Sequence, residues 1–239
     1  MFLCSGCIGY RYFPSPQQHY GLDSAGAWRV NLDAYPYGGG IAIAASPINH
    51  WALTAHGLKY RTNSSYIFDV SEYSESDAWS VGGGIGYYVK FTQKKGFDVF
   101  ATYEHQRVQT TAFEAFDVYP AWDISANGYL DRRWHTVRIQ PSFYHKSTVD
   151  FYTALGVSFV GVLDAEHYYE SANRIGDLKY DILWQPGVAM RFKKIGLELG
   201  VTPCFSSTHA VLSQEFRMLR ASVKLSIVGD RLFNVLNSM

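Results

Sequence analysis

Residues 79–91 read WSVGGGIGYYVKF, and large apolar side chains recur at nearly every second position of this stretch. One face carries Trp79, Val81, Gly83, Ile85, Tyr87, Val89 and Phe91, and the other carries Ser80, Gly82, Gly84, Gly86, Tyr88 and Lys90. Successive side chains of a β-strand point to opposite faces of its sheet. The stretch therefore predicts a strand with one apolar face and one small or polar face.

The same alternation recurs along the chain and predicts ten strands. Several of them approach the roughly 9–11 residues that a tilted strand needs to cross a bilayer. The predicted strands are residues 28–35, 39–46, 51–60, 79–91, 97–108, 134–143, 149–160, 182–192, 195–202 and 220–227.

The connections between these strands alternate in length. Short connections follow strands two, four, six and eight, at 46–50, 92–95, 144–148 and 193–194. Long connections follow strands three, five and seven, at 61–78, 109–133 and 161–181, while 203–215 is intermediate and the hairpin at 36–38 departs from the rule. Bacterial outer-membrane barrels have short periplasmic turns and longer outer loops. The pattern predicts an all-β fold: a transmembrane antiparallel up-and-down β-barrel of about ten strands, with eight strands as the alternative.

The composition narrows the class of protein further. Lys plus Arg and Asp plus Glu both number 21, so the formal net charge is zero. This argues against a nucleic-acid partner, which requires a basic surface. No run of about 18 apolar residues is present that could form a transmembrane helix. A soluble barrel that binds an apolar ligand, with its apolar face turned inward, remains an alternative.

Aromatic residues concentrate near the two ends of the predicted spans. Amphipathic rings prefer the two membrane–water interfaces and form girdles there. The predicted girdles comprise Trp79, Trp134 and Trp184 at the long-loop end, and Trp51, Phe91, Phe97, Phe143, Phe151 and Phe192 at the short-turn end. An ordinary core would not place three tryptophans at equivalent strand ends, which favours a membrane barrel over a soluble one.

Charged residues fall on the opposite face, which would line the lumen. They are Arg29, Asp33, Lys90, Asp98, Glu104, Arg138, Arg191, Glu198, Arg220 and Lys224. Because buried unpaired charge is costly, we expect pairs such as Arg29 with Asp33 or Lys90 with Asp98. Small barrels are largely filled by side chains, although glycines 82, 84 and 86 would leave room for a narrow polar path.

No motif predicts catalytic residues, a metal site or a cofactor. Asp164, Glu166 and His167 cluster in a predicted long loop, with Asp131 and His135 at the base of a neighbouring loop. A carboxylate and a histidine can serve as acid and base, but this spacing is unspecific and a solvated loop explains it better.

The N-terminus carries a possible lipidation signal. Ser5-Gly6-Cys7 is similar to the end of a bacterial lipobox, in which the cysteine is acylated, although Cys4 stands where that motif usually has leucine. The hypothesis is that Cys7 is lipidated and that residues 8–26 form a tether. The alternative is an incidental thiol pair, because no second pair completes a zinc site.

Together with residues 10–16, 45–51, 84–88 and 139–141, this start makes the chain resemble the small lipid-anchored outer-membrane β-barrel proteins of the Bacteroidota. The resemblance implies an outer-membrane location and often membership of a larger assembly, and it carries over no catalytic residues. Charged residues after the lipidated cysteine often mark export to the surface in these bacteria. Ile8, Gly9 and Tyr10 are uncharged, so the resemblance implies a periplasmic tether.

The sequence thus predicts one barrel domain, residues 27–239, preceded by the lipobox-like start and periplasmic tether of residues 1–26. Both termini would be periplasmic and the long loops extracellular. The expected function is non-enzymatic: an accessory or structural subunit of an outer-membrane complex for secretion, barrel assembly or nutrient uptake. The expected partners are outer-membrane lipids and other outer-membrane or periplasmic proteins. The alternatives are a narrow solute or ion channel and an outer-membrane hydrolase.

Overall fold

The computed structural model describes residues 14–35, 38–65, 71–115, 125–168, 180–207 and 220–229. Their regular structure consists of strands: β1 (Trp28–Tyr35), β2 (Gly38–Ile48), β3 (Trp51–Ser65), β4 (Ser71–Lys90), β5 (Lys95–Ala115), β6 (Ser125–His145), β7 (Val149–Tyr168), β8 (Tyr180–Phe192), β9 (Leu197–Thr202), β10 (Phe205–Ser206) and β11 (Arg220–Gly229). Within these ranges, no helix is long and apolar enough to cross a membrane.

The strands close into one antiparallel barrel. Consecutive strands pair from β1 to β9, β9 pairs with β11, and β11 returns to β1. β9 and β10 both pair with β8, and the pairs Val188↔Val201 and Trp184↔Phe205 continue the same register without a shift. The two are therefore a single barrel strand interrupted at Pro203. Proline lacks the N–H that a ladder requires, which accounts for the break. The prediction of ten strands is confirmed, and the eight-strand alternative is wrong.

The two faces of the wall divide as the alternation predicts. In β4, Ala78 and Ser80 face the interior and are buried, whereas Val81 and Ile85 on the outer face are 52% and 53% exposed. The same outward exposure of apolar side chains continues around the wall at Leu32, Ile43, Leu53, Val137, Ile139, Phe159, Val188, Leu199 and Leu225. So broad an apolar belt suits lipid rather than water. The soluble-barrel alternative is therefore wrong, because the apolar face points outward.

One side of the barrel is much taller than the other. Strands β4 to β7 have 20, 21, 21 and 20 residues, whereas β1, β2 and β11 have 8, 11 and 10. Since a span needs only about 9–11 residues, roughly half of each long strand lies beyond the apolar belt. We call β4–β7 the long wall. The long loops predicted at 61–78, 109–133 and 161–181 are wrong in extent, because much of each is paired strand. The sequences of these extensions mix polar and apolar residues without a regular period, so they show no apolar alternation.

Most predicted girdle residues lie on the outer face, with one exception. Trp51, Trp79, Phe91, Phe143, Phe151 and Trp184 are 40–61% exposed, and Phe97 and Phe192 are half-buried. Trp134, however, is completely buried inside the barrel, so its assignment to a girdle is wrong. Trp134 and Arg138 are four residues apart in β6 and must share one face. Since the side chain of Arg138 was predicted to point into the lumen, the side chain of Trp134 must point there too.

Candidate functional site: the filled lumen

Residues 14–22, called the lumen segment below, run through the interior of the barrel. Ser15, Gln17, His19, Tyr20 and Leu22 are each at most 3% exposed. The hydrogen-bond partners of the whole segment lie on β1, β3, β5, β6, β8, β9 and β11, all around the wall. The structure thus differs from the tether predicted for residues 8–26, because residues 14–22 lie within the barrel.

The lumen segment has a defined direction. Its first residue, Pro14, accepts a hydrogen bond from Tyr60, which lies in the half of β3 next to the long connection. We call this end of the barrel the upper end. Just beyond its last residue, Asp23 bonds at 2.8 Å to Lys146 in a short connection. The chain therefore descends through the lumen towards the short-turn end and then turns back into β1.

Six consecutive backbone carbonyls of the lumen segment accept hydrogen bonds from side chains of the wall. The donors are Tyr60 to Pro14, Gln185 to Ser15, Arg138 to Pro16, Lys224 to Gln17, Gln140 to Gln18, and both Arg29 and Arg191 to His19. A buried carbonyl without a partner is costly. The wall supplies a donor at every one of these positions, so it holds an extended chain in a single register.

Glu198 anchors the segment by its side chain. This carboxylate is fully buried, and it lies 3.2 Å from His19 Nδ1 of the lumen segment. Arg191 Nη2 donates to it at 2.5 Å, and Lys224 Nζ is 3.4 Å away. Arg191 and Lys224 lie directly opposite Glu198 on the two neighbouring strands. The cluster pairs the buried charges of three strands and joins them to the lumen segment.

The expected pairs Arg29 with Asp33 and Lys90 with Asp98 are replaced by other partners. Arg29 donates to the carbonyl of His19, and Asp33 accepts a 2.7 Å hydrogen bond from Gln18. Asp98 accepts from Ser142. Cross-strand pairing was expected because the lumen segment was not counted among the available partners.

The structure places eight of the ten predicted lumen residues inside the barrel. They are Arg29, Asp33, Asp98, Glu104, Arg138, Arg191, Glu198 and Lys224. Lys90 instead reaches the short-turn rim, where its side chain is 41% exposed and lies 3.9 Å from Asp23. Arg220 begins β11, and its side chain lies outside the described residues.

At the short-turn end the segment is fixed by apolar and ionic contacts. Tyr20 packs edge-on against Phe100 at 5.0 Å between ring centroids, and Leu22 joins the same buried cluster. Partial burial alone would raise the pKa of Asp23, but the hydrogen bond and charge of Lys146, with the charge of Lys90, hold that pKa below its ordinary value. Both ends of the lumen segment are therefore held.

Little free space remains beside the segment. A Cβ at Gly86 would lie 2.1 Å from the Phe100 ring, and one at Gly82 would lie 2.6 Å from the His56 ring. These glycines make room for rings, so the narrow path expected along them is filled. A cavity lined in part by Ser15 and Arg138 measures about 20 Å³, which is room for about one water molecule.

Ser15, Glu104 and His56 meet in the lumen, but not as a nucleophile and its base. Ser15 Oγ donates to Glu104 Oε2 at 2.5 Å, and His56 Nε2 lies 3.1 Å from the same oxygen. A serine nucleophile needs the histidine beside its hydroxyl, whereas here the carboxylate stands between the two. The trio fixes the upper part of the lumen segment.

The residues considered for acid–base chemistry are held apart. Asp131 is bound by Arg107, whose Nε lies 3.0 Å from both carboxylate oxygens. His135 lies on the outer face against Tyr103 and His105. The structure therefore does not join Asp131 to His135.

The other candidates belong to β7 rather than to a loop. Glu166 lies opposite Asp131 and His167 opposite Leu130, while Asp164 lies opposite Arg133. The side chains of these three β7 residues lie outside the described part of the structure. Among the described residues, no three His, Cys, Asp or Glu side chains are grouped to hold a metal ion.

A closed antiparallel wall, an apolar outer belt, short turns at one end and a polar filled interior define a transmembrane β-barrel of the bacterial outer-membrane type. The chain is similar to two solved structures. LpxR from Salmonella typhimurium is 5% identical, with 84% of this chain and 99% of that chain covered and a TM-score of 0.37. The translocator domain of autotransporter NalP from Neisseria meningitidis is 10% identical, with 86% and 87% covered and a TM-score of 0.41. No protein-family model and no curated protein matches the chain. The fold assignment therefore rests on the strand pairing and surface of this chain.

Proposed function

We propose that this protein is a non-conducting outer-membrane barrel that serves as a structural or accessory subunit of a larger assembly, for secretion, barrel assembly or nutrient uptake. The observation that supports this function is the lumen segment, with six consecutive carbonyls held by the wall. An extended chain held along the centre of the lumen would obstruct a solute and occupy the space that a substrate would need.

The orientation follows the usual arrangement of such barrels, with short turns in the periplasm and long strands rising outside. The N-terminal end of the lumen segment then points to the cell surface, whereas the tether prediction placed it in the periplasm. Lipidation of Cys7 stays a prediction, because residues 1–13 lie outside the described residues.

The long wall supports a role in assembly. Strands β4–β7 continue well beyond the apolar belt as paired sheet. A barrel that only needed to remain in the membrane could end its strands at the interface, as β1 and β11 nearly do. The projecting wall offers a rigid surface to another outer-membrane or surface protein.

Conductance in planar lipid bilayers tests the closed lumen. The wild-type barrel should give no discrete steps, and a variant lacking residues 14–22 should give steps because the wall alone encloses a polar interior. The heat-dependent gel mobility of the variant shows whether its barrel is folded. Steps from the wild type would contradict the proposal and favour the narrow channel.

A pull-down from detergent-solubilised native outer membranes tests the accessory role. A tagged chain should recover a fixed set of proteins in constant ratio. A lone barrel, recovered with nothing above the untagged control, would contradict that role while leaving the closed lumen intact. Activity abolished by replacing His135 and His167 would instead favour a hydrolase.

A further inference from the structure

The outer face of the long wall and the adjoining β3 changes character over a few rows of side chains. Neighbouring residues in the ladder define each row. From the short-turn side upwards, the rows are Leu53, Ile85, Ala101 and Ile139; then Ala55, Gly83, Tyr103 and Val137; then Gly57, Val81, His105 and His135; then Lys59, Trp79, Arg107 and Arg133. The rows thus change from aliphatic to ring-bearing to cationic side chains. This is the order in which a bilayer changes from its hydrocarbon core to its interface and then to its headgroups.

Four basic side chains form a two-by-two block at this level, here called the basic patch: His105, Arg107, Arg133 and His135. The two histidine rings are 4.9 Å apart between centroids. Trp79 packs edge-on against His105 at 5.6 Å, so it borders the patch. The patch therefore lies at the upper edge of the apolar belt.

Arg107 and Arg133 lie directly opposite each other on β5 and β6. Like charges in directly opposite positions destabilise a sheet. Asp131 binds Arg107 on one side, and Arg133 is exposed, with Asp164 opposite it in the β7 register. Nε2 of His135 has no hydrogen-bond partner among the described residues. Because Asp131 already neutralises Arg107, the exposed guanidinium group of Arg133 is the one that an anion at this level would contact first.

We propose that the basic patch binds the phosphate group of a membrane lipid whose acyl chains lie along the aliphatic rows beneath it. Guanidinium groups present paired donors that match phosphate oxygens. The aliphatic rows directly below give the acyl chains an apolar surface. A soluble phosphate would gain the charge contacts but would leave these rows unused. The basic patch is outside the barrel and the lumen segment is inside, so the site can be tested separately from the closed lumen. The choice of lipid A as the probe rests on the proposed orientation, in which the long wall rises on the outer side of the membrane.

Native mass spectrometry of the detergent-purified protein tests the binding. The probes are diphosphorylated lipid A and the same lipid after enzymatic removal of its phosphates. The variant is Arg133→Gln, at an exposed position. The control is Lys193→Gln, which removes one positive charge, paired with Asp150 at 3.0 Å, at the opposite rim. Inorganic phosphate is added as a competitor in millimolar excess.

The wild type and Lys193→Gln should bind the phosphorylated lipid equally well. Arg133→Gln should bind it roughly tenfold more weakly, the usual scale for one charge-assisted hydrogen bond, and dephosphorylated lipid should bind poorly to all three proteins. Equal binding by Arg133→Gln and the wild type would overturn the proposal, as would equal binding of the two lipids. Complete displacement of the lipid by inorganic phosphate would also overturn it and identify a site for the free ion.

Discussion

Replacing Glu198 by glutamine isolates the charge that holds the lumen segment. The substitution keeps the shape of the side chain but leaves Arg191 and Lys224, which are 2% and 1% exposed, without their shared carboxylate. Breaking a buried ion pair by removing one partner costs about 3–5 kcal/mol. With a denaturant slope of about 2 kcal/mol per molar urea, the unfolding midpoint should fall by about 2 M.

The assay is urea unfolding of the barrel in lipid vesicles, followed by tryptophan fluorescence. The matched control is Asp77→Asn, which removes an exposed carboxylate 3.7 Å from Lys59. Exposed pairs contribute about 1 kcal/mol or less, so the control should unfold close to the wild type. Equal midpoints for Glu198→Gln and Asp77→Asn would refute the buried-cluster reasoning.

Three further substitutions test separate parts of the structure. Gly187→Val should displace Gln17 and loosen the lumen segment, because a Cβ at this glycine would lie 2.1 Å from Gln17 Oε1 and 2.9 Å from its Cδ. Faster protease cleavage within residues 14–22 measures this, and unchanged protection would contradict it. Ile85→Arg on the outer face should lower the unfolding free energy by about 2–4 kcal/mol, which is the cost of arginine near the bilayer midplane. Urea titration measures this change, and an unchanged unfolding free energy would place Ile85 outside the membrane. In single-tryptophan variants, brominated lipid should quench the fluorescence of Trp79 strongly and that of Trp134 weakly, since Trp79 is 40% exposed and Trp134 is buried. Stronger quenching of Trp134 than of Trp79 would instead place Trp134 in the aromatic girdle.

The alternation of residues 79–91 was sufficient to predict one face of β4 inside and the other in lipid, because period two is a direct consequence of strand geometry. The same rule decides Trp134, whose position follows from Arg138 four residues later. That error came from weighing the residue type above the parity of its position. The halves of β4–β7 next to the long connections could not be predicted in this way, since their sequences show no regular apolar alternation.

The lumen segment was missed for a different reason. Pro14 and Pro16 lie within the predicted tether of residues 8–26, and an extended chain that bonds through its own carbonyls needs no side-chain period. One indirect signal was available: the predicted lumen face carries six basic side chains against four acidic ones, a surplus of donors over charged acceptors. Since buried donors require acceptors, that surplus called for an additional chain inside the barrel.

The most direct test of the filled lumen is disulfide formation between the lumen segment and the wall in native membranes. In a background with the three native cysteines replaced by serine, Gln17→Cys is combined either with Gly187→Cys, which faces Gln17, or with Val188→Cys, which is 57% exposed on the outer face. The structure predicts an oxidant-dependent crosslink, seen as a shift in non-reducing gel mobility, for the 17–187 pair and none for the 17–188 pair. No crosslink at 17–187, or equal crosslinking of both pairs, would contradict the placement of residues 14–22 inside the barrel.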